Sequence, residues 1–343
     1  MPELPEVETI RRQLCAAGVE GRVVEKVHVE WPRTVEPLPP SAFCKQIQGR
    51  RLEKIDRHGK WLIFQLDNLN PPRLTATPPV EGNQKVPLEP PSGGGKQKGS
   101  ENFQRIIPSG GGVPERQGGS LDLLVHLRMT GGFYLSQGAL KKGLHDRAIL
   151  QLSGGLNLHF RDPRKFGRWR LAPVFQNIGG FRSVETVSGG DGAPPSRIKG
   201  LGPDALTVTK KQFFQALEGQ NKVLKALLLD QSFVAGVGNI YADEALFEAR
   251  LDPRRKSGSL SDAEKLALYK AVTKVIKAGV RNKGTSLGAG QGNYVDLNGE
   301  AGGHREKVKV YGRAGQPCTI CGQPLHKTQI AQRTTVFCSH CQK

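Results

Sequence analysis

Apolar residues at Val7, Ile10, Leu14 and Ala17 recur at the three-and-four spacing of one helix face, and Gly18 follows as a stop, so the spacing predicts a helix over 6–17. The period then changes. Short runs rich in β-branched and aromatic residues at 22–29, 47–55, 61–66, 121–129, 148–152, 156–160 and 168–171, each bounded by turn residues, predict an antiparallel β region closed as a sandwich or barrel. After Pro203 the helical period returns at 211–217, 223–229 and 240–249, and again in a run opened by the capping box Ser261-Asp262-Ala263-Glu264. The stretch 279–303 is glycine-rich, and Lys307-Val308-Lys309-Val310-Tyr311 alternates like a strand.

Two stretches interrupt this order. Residues 68–120 hold 10 Gly and 9 Pro among 53 positions with almost no aliphatic periodicity, too little apolar surface to offset chain entropy, so a disordered surface insertion is expected there. Residues 179–202, with Gly189-Gly190-Asp191-Gly192 and Pro194-Pro195, read as an interdomain linker. The pattern thus divides the chain into a β-rich part over 1–178, a helical part over 203–303 and a cysteine-bearing end over 304–343.

With 343 residues the chain is long enough for about two domains of roughly 150 residues, which excludes a small staple-dependent scaffold. Lys plus Arg is 50 against 31 Asp plus Glu, a formal charge of +19 that favours a polyanionic partner, nucleic acid or an acidic membrane face. No apolar run approaches the roughly 20 residues of a bilayer span, and no basic amphipathic helix offers a surface anchor, which leaves nucleic acid. Six cysteines are too few for a disulfide framework and suit a reducing compartment; an export signal is not expected, because the N-terminus is acidic.

Four of those cysteines carry the strongest spacing signal. Cys318-Thr319-Ile320-Cys321 and Cys338-Ser339-His340-Cys341 stand 16 residues apart, which lets two tight turns bring four thiolates onto a tetrahedral zinc. Four protein ligands leave no open position, so the one metal expected is structural. Residues 301–343 carry 7 Lys and Arg against 1 acidic residue, as a phosphate-contacting hairpin would, although a solvated charged surface explains the count equally well. Asn239 opens a helix after the glycine-punctuated turn 236–238, where free backbone N–H groups can face an anion. Met1 precedes Pro2, and its removal would expose a secondary amine, a nucleophile flanked by the carboxylates of Glu3 and Glu6. A proline that merely opens a helix is the alternative reading.

Six segments together resemble the bacterial formamidopyrimidine-DNA glycosylase family: Pro2-Glu3-Leu4-Pro5-Glu6-Val7-Glu8-Thr9, His58-Gly59-Lys60, His126-Leu127-Arg128-Met129-Thr130-Gly131, Asp162-Pro163-Arg164-Lys165-Phe166-Gly167, Gly238-Asn239-Ile240-Tyr241-Ala242-Asp243-Glu244 and the four-cysteine end. Only 68–120 and the loop near 179–200 fall outside it. The resemblance implies an α+β architecture: an N-terminal β-sandwich with an N-terminal helix, a helix-two-turns-helix domain and a four-cysteine zinc finger. It also implies a monomeric bacterial enzyme of the cytoplasm and nucleoid that removes 8-oxoguanine and formamidopyrimidines from double-stranded DNA and then cleaves the abasic site by β,δ-elimination.

Residue roles follow from the same resemblance. Pro2 would attack the sugar and form a Schiff base, Glu3 would carry protons, and Glu6 would hold the active-site end of the first helix. Lys60 would pair with a phosphate beside the lesion, and Asn239 and Arg333 would clamp the backbone. Met129, Arg164 and Phe166 would fill the gap left by the everted base, and Thr285 would belong to the loop over the lesion, whose glycines Gly288, Gly290 and Gly292 prevent a contact-by-contact assignment. Two other readings stay open: an endonuclease VIII-like glycosylase for oxidised pyrimidines, and a non-catalytic zinc-ribbon protein that binds damage. Leu4 and the Met-Arg-Phe set favour the purine branch, and Pro2-Glu3 with Lys60 is unexplained without catalysis.

Overall fold

The computed structural model describes residues 1–67, 121–173, 198, 200–288 and 293–343. The stretch 68–120 and nearly all of 174–199 lie outside the described residues, as do Gly290 and Gly292. The chain opens with α1 (Leu4–Ala16), followed by β1 (Val24–Val29), β2 (Val35–Glu36), α2 (Pro40–Ile47), β3 (Leu52–His58), β4 (Trp61–Leu66), β5 (Leu121–His126), β6 (Gly132–Gln137), β7 (Asp146–Leu152), β8 (Leu156–Arg161) and β9 (Arg168–Pro173). The helical part holds α3 (Lys210–Leu217), α4 (Leu224–Leu229), α5 (Asn239–Glu248) and α6 (Asp262–Arg281), and the hairpin β10 (His326–Ile330) with β11 (Arg333–Phe337) ends the fold.

Strands β1 to β9 form two sheets, β1-β7-β8-β6 and β2-β9-β5-β4-β3, antiparallel except for the short β2–β9 pair. Their inner faces meet in one core of Leu62, Phe64, Leu123, Val125, Leu150, Leu158, Phe160 and Trp169. Helix α1 straddles two cores. Val7, Ile10 and Leu14 join the sandwich, whereas Leu4 packs with Val237, Ile240, Tyr241 and Ile276 of the helical part. The start of the chain is thereby fixed where the two cores meet. A third cluster, Phe247, Val310, Leu325 and Val336 with Cys318 and Cys338, supports the terminal hairpin.

Three of the expected strands take another form, and β6, β10 and β11 fall where none was expected. The run 47–55 is not one strand: Phe43 and Ile47, one helical turn apart, bury a face of α2, and only Leu52 onward is extended. The strand expected over 121–129 stops at His126, because Arg128 takes a left-handed conformation at φ 57° and turns the chain. Residues 307–311 are not a strand either. The backbone N–H groups of Lys309, Val310 and Tyr311 all donate to the buried carboxylate of Glu244, at 2.8, 2.8 and 2.9 Å, so a side chain takes the place of a neighbouring strand.

Candidate active site and nucleic-acid interface

Met1 is half exposed, but every residue from Pro2 to Ile10 is buried. A capping box starts α1, with the Glu3 N–H donating to Glu6 Oε2 at 2.7 Å. The Glu3 side chain reaches the other way and accepts the N–H groups of Ile240 at 3.0 Å and Tyr241 at 3.4 Å, at the N-terminus of α5. Two backbone donors and the positive end of a helix dipole thus converge on this carboxylate. The turn before α5 is a socket for the chain start: Leu4 N–H donates to Gly236 O at 3.1 Å, and a Cβ at Gly238 would overlap the Glu3 carboxyl group.

Glu6 lies beneath. Its Oε1 accepts Tyr241 O–H at 2.9 Å and Thr285 N–H at 2.7 Å, and the Tyr241 hydroxyl also meets Thr285 Oγ1 at 3.0 Å. Complete burial, reinforced by the nearby charge of Glu3, pushes the Glu6 carboxyl up to about 7. Thr285 is therefore a buried partner of Glu6.

Lys60 sits in the β3–β4 turn, whose Gly59 adopts φ 58° and backs onto Ala235. Asp204 holds this turn: its Oδ2 accepts Gly59 N–H at 2.7 Å, and both of its oxygens accept the Arg57 guanidinium at 2.5 and 2.9 Å. Arg57 also donates to Glu8 at 3.1 Å. Burial lowers the Lys60 ammonium below the usual lysine range, opposed by the charges of Glu3 and Glu6 and aided by Arg333, so these four groups share one electrostatic field. Nearby, the His126 Nδ1 accepts Arg128 N–H at 2.9 Å. Burial, then the charges of Arg128, Lys60 and Arg170, press that imidazole down to about 3, which leaves it neutral with its proton on Nε2.

Met129 and Phe166 are two of the few large apolar residues exposed among the described residues, and they stand on neighbouring turns. Each follows a non-glycine residue in the left-handed region, Arg128 at φ 57° and Lys165 at φ 61°. Such backbone is uncommon and concentrates at functional turns. Buried Asp162 ties the turns together by accepting Thr130 O–H at 2.5 Å, Arg164 N–H at 3.2 Å and Gly167 N–H at 2.7 Å. The Arg164 guanidinium stacks 4.9 Å from the Phe166 ring centroid.

Arg333 is exposed at the tip of the terminal hairpin. Ile330 pairs with Arg333 across a two-residue turn in which Ala331 and Gln332 both have positive φ, 49° and 58°, the backbone of a type I′ turn built without glycine or asparagine. Asn239 Nδ2 donates to Thr334 O at 3.2 Å, which joins the start of α5 to this hairpin. At the hairpin base the sulfurs of Cys318, Cys321, Cys338 and Cys341 lie within 4.8 Å of one another. A tetrahedral zinc with sulfur ligands at about 2.3 Å holds sulfurs about 3.8 Å apart. The Cys321–Cys338 and Cys318–Cys341 separations of 3.5 and 4.0 Å fit that cage, and the N–H groups of Ile320 and Cys341 point at the sulfurs of Cys318 and Cys338.

Several members of this arrangement carried no role in the sequence analysis: Arg57, His126, Asp162, Asp204 and Tyr241. His126, Asp162 and Tyr241 stand inside the motifs, and that placement was the one available signal.

Three family models match the chain in order: the formamidopyrimidine-DNA glycosylase N-terminal domain over 1–169, the H2TH domain of the same glycosylase over 200–290, and a zinc finger found in FPG and IleRS over 315–343. A curated formamidopyrimidine-DNA glycosylase of Protochlamydia amoebophila is 32% identical over 345 residues, covering 100% of both chains. The crystal structure of the MutM (FPG) protein from Thermus thermophilus is similar at 34% identity and TM-score 0.68, covering 99% of this chain and 98% of that one. Wild-type Lactococcus lactis Fpg, crystallised with DNA containing N7-benzyl-Fapy-dG, is similar at 25% identity and TM-score 0.71, with 100% of each chain covered. With the capped N-terminus, the socket at α5 and the four-cysteine hairpin all in the matched regions, the chain belongs to the formamidopyrimidine-DNA glycosylase family.

Proposed function

We propose that this glycosylase of base-excision repair removes oxidised purines, formamidopyrimidines and 8-oxoguanine, from double-stranded DNA and cleaves the abasic site through an N-terminal proline. The observation that carries the reading is the convergence on the buried chain start: Glu3 seated on the N-terminus of α5, Glu6 beneath it, and Lys60 and Arg333 in the same field. Removal of the exposed Met1 frees the Pro2 amine at that point. On attack at C1′ the glycosidic bond breaks and the base leaves with its electron pair. Glu3 takes the proton that the amine loses and passes it to the ring oxygen as the sugar opens. The resulting iminium makes the C2′ proton acidic, and loss of that proton expels the 3′ phosphate; a second elimination expels the 5′ phosphate. Glu6, titrating near 7, supplies or accepts protons one residue layer away.

Lys60, Asn239 and Arg333 hold phosphates around the everted nucleotide, and neutral His126 offers Nε2–H to another. Met129, Arg164 and Phe166 enter the gap in the duplex, with their turns pre-set by the two left-handed residues and by Asp162. Thr285 acts through Glu6 and Tyr241 to position the loop over the lesion. The four cysteines hold one zinc in a structural role, and the chain works as a monomer in the bacterial nucleoid. Domain limits of 1–178, 203–303 and 304–343 suit these duties, with 179–202 as the linker.

Borohydride trapping on abasic-site DNA tests the reading. The wild-type adduct is expected on the Pro2 peptide, Pro2→Gly should lose most of the trapped product while keeping DNA affinity, and an adduct on Lys60 or another lysine would remove Pro2 from the mechanism.

A further inference from the structure

Helix α5 carries a charged pair that the chemistry above does not use. Lys225 of α4 and Asp243 of α5 have side chains with 0% exposure each, and Lys225 Nζ donates to Asp243 Oδ1 at 2.5 Å and to the Asn239 carbonyl at 2.9 Å. The second carboxylate oxygen, Oδ2, accepts the backbone N–H of Val336 in β11 at 3.2 Å. Val336 lies three residues beyond Arg333 on the same strand, and Asn239 lies one helical turn before Asp243. Asp243 therefore touches, directly or through Lys225, the backbones that carry both candidate phosphate ligands.

We propose that Asp243 is a positioning residue for the phosphate clamp: its carboxylate, shared between Lys225 and the Val336 N–H, fixes the spacing between Asn239 and Arg333. The proposal rests on the reading of those two residues as phosphate ligands. Stability alone does not explain the pair, since a buried ion pair is often matched or surpassed by apolar residues of the same volume. What it provides is direction. A carboxylate committed to two donors tolerates little sliding of β11 along α5, whereas an apolar contact permits it. Glu244, the next residue, holds 309–311 through its carboxylate, so the strand bearing Arg333 is tied to α5 by the Asn239 amide at Thr334 and, deeper in, by the buried carboxylate of Asp243 at Val336.

The test is a double-mutant cycle on the zinc-loaded full chain, read by anisotropy on duplex DNA bearing a tetrahydrofuran abasic analogue across a salt series. Arg333→Ala is expected to weaken binding about tenfold and to lower the salt slope by about 0.9, the value of one phosphate contact. Asp243→Asn should produce a similar loss and a similar flattening, with KM on lesion DNA raised and kcat at saturation within about twofold of wild type. The double variant should bind no worse than Arg333→Ala. Should Asp243→Asn fold poorly, Lys225→Met with Asp243→Leu replaces the pair by apolar volume, and the same loss is expected at full zinc content. If the Asp243 and Arg333 effects add, or if the apolar pair binds like wild type, the positioning role is refuted while the clamp stands. If Arg333→Ala leaves affinity and salt slope unchanged, the clamp reading fails first and the proposal falls with it.

Discussion

Replacing Arg57 by Met removes one guanidinium from between two buried carboxylates. Arg57 is 4% exposed, with Glu8 at 5% and Asp204 at 8%. The substitution deletes two charge-assisted hydrogen bonds to Asp204, one to Glu8 and one to the Gly59 carbonyl. Glu8 keeps Arg11 and Arg12, so the loss falls on Asp204, which is left with the N–H groups of Gly59 and Leu206. Breaking a buried pair on one side costs about 3–5 kcal/mol, mostly because a charge stays buried without its counter-ion. For a chain of this size, at about 2.1 cal/mol/K of unfolding entropy per residue, that is a fall in Tm of about 4–7 °C. Thermal melts and urea titrations of Arg57→Met, Asp204→Leu and the double variant measure it. The double variant should recover much of the loss, since it leaves no unpaired charge. A single-variant cost under about 1 kcal/mol, or a double variant that loses the sum of both singles, would refute the reasoning.

Burial opposes ionisation of Glu8, but the hydrogen bonds from Arg11 and Arg12 and the charge of Arg57 prevail and hold its carboxyl near 2. Its folded value is depressed, so its contribution is complete above the unfolded value of 4.5 and drains away as the pH falls toward 2; Glu8→Gln should flatten that acid limb in pH-dependent melts, and an unchanged limb would contradict this. Cys338→Ser should lower zinc stoichiometry and DNA affinity together while the sandwich still melts cooperatively, and a zinc-free protein that binds and cleaves normally would contradict a structural metal. Replacing 68–120 by a short Asn-Gly turn should preserve fold and excision, because Leu66 and Leu121 are paired neighbours on β4 and β5 and a hairpin turn can join them; a folded variant with single-turnover excision reduced by orders of magnitude would show that the segment takes part.

Periodicity made the large elements legible. The helical face Val7-Ile10-Leu14, the Ser261 capping box and the two cysteine pairs all state their structure locally, within a few residues. What stayed hidden depended on partners distant in sequence. Residues 307–311 alternate like a strand, yet the N–H groups of 309–311 go to Glu244, and nothing local separates a carboxylate acceptor from a neighbouring strand. Helix α2 was obscured because its two core residues, Phe43 and Ile47, give only one turn of pattern. At the site, the resemblance named residues that would touch DNA, while the geometry added those that hold them. Asp162, Asp204 and Asp243 are acids in a basic protein, and each is buried against a donor that stands 32, 147 or 93 residues away along the chain.

Helix α5 has no solvent side. Every residue from Ile240 to Phe247 is buried, and its surroundings differ around the circumference: the chain start at its first turn, the other helices along its length, the terminal hairpin at Asp243 and the segment before it at Glu244. Most surface helices accept substitutions on their outer half at little cost. This one offers no such half, so a saturation scan of 240–247 should find hardly a neutral position, and its amides should exchange with solvent only when the whole fold opens. A tolerated change at one of these eight residues should therefore need a compensating change in the partner packed against it.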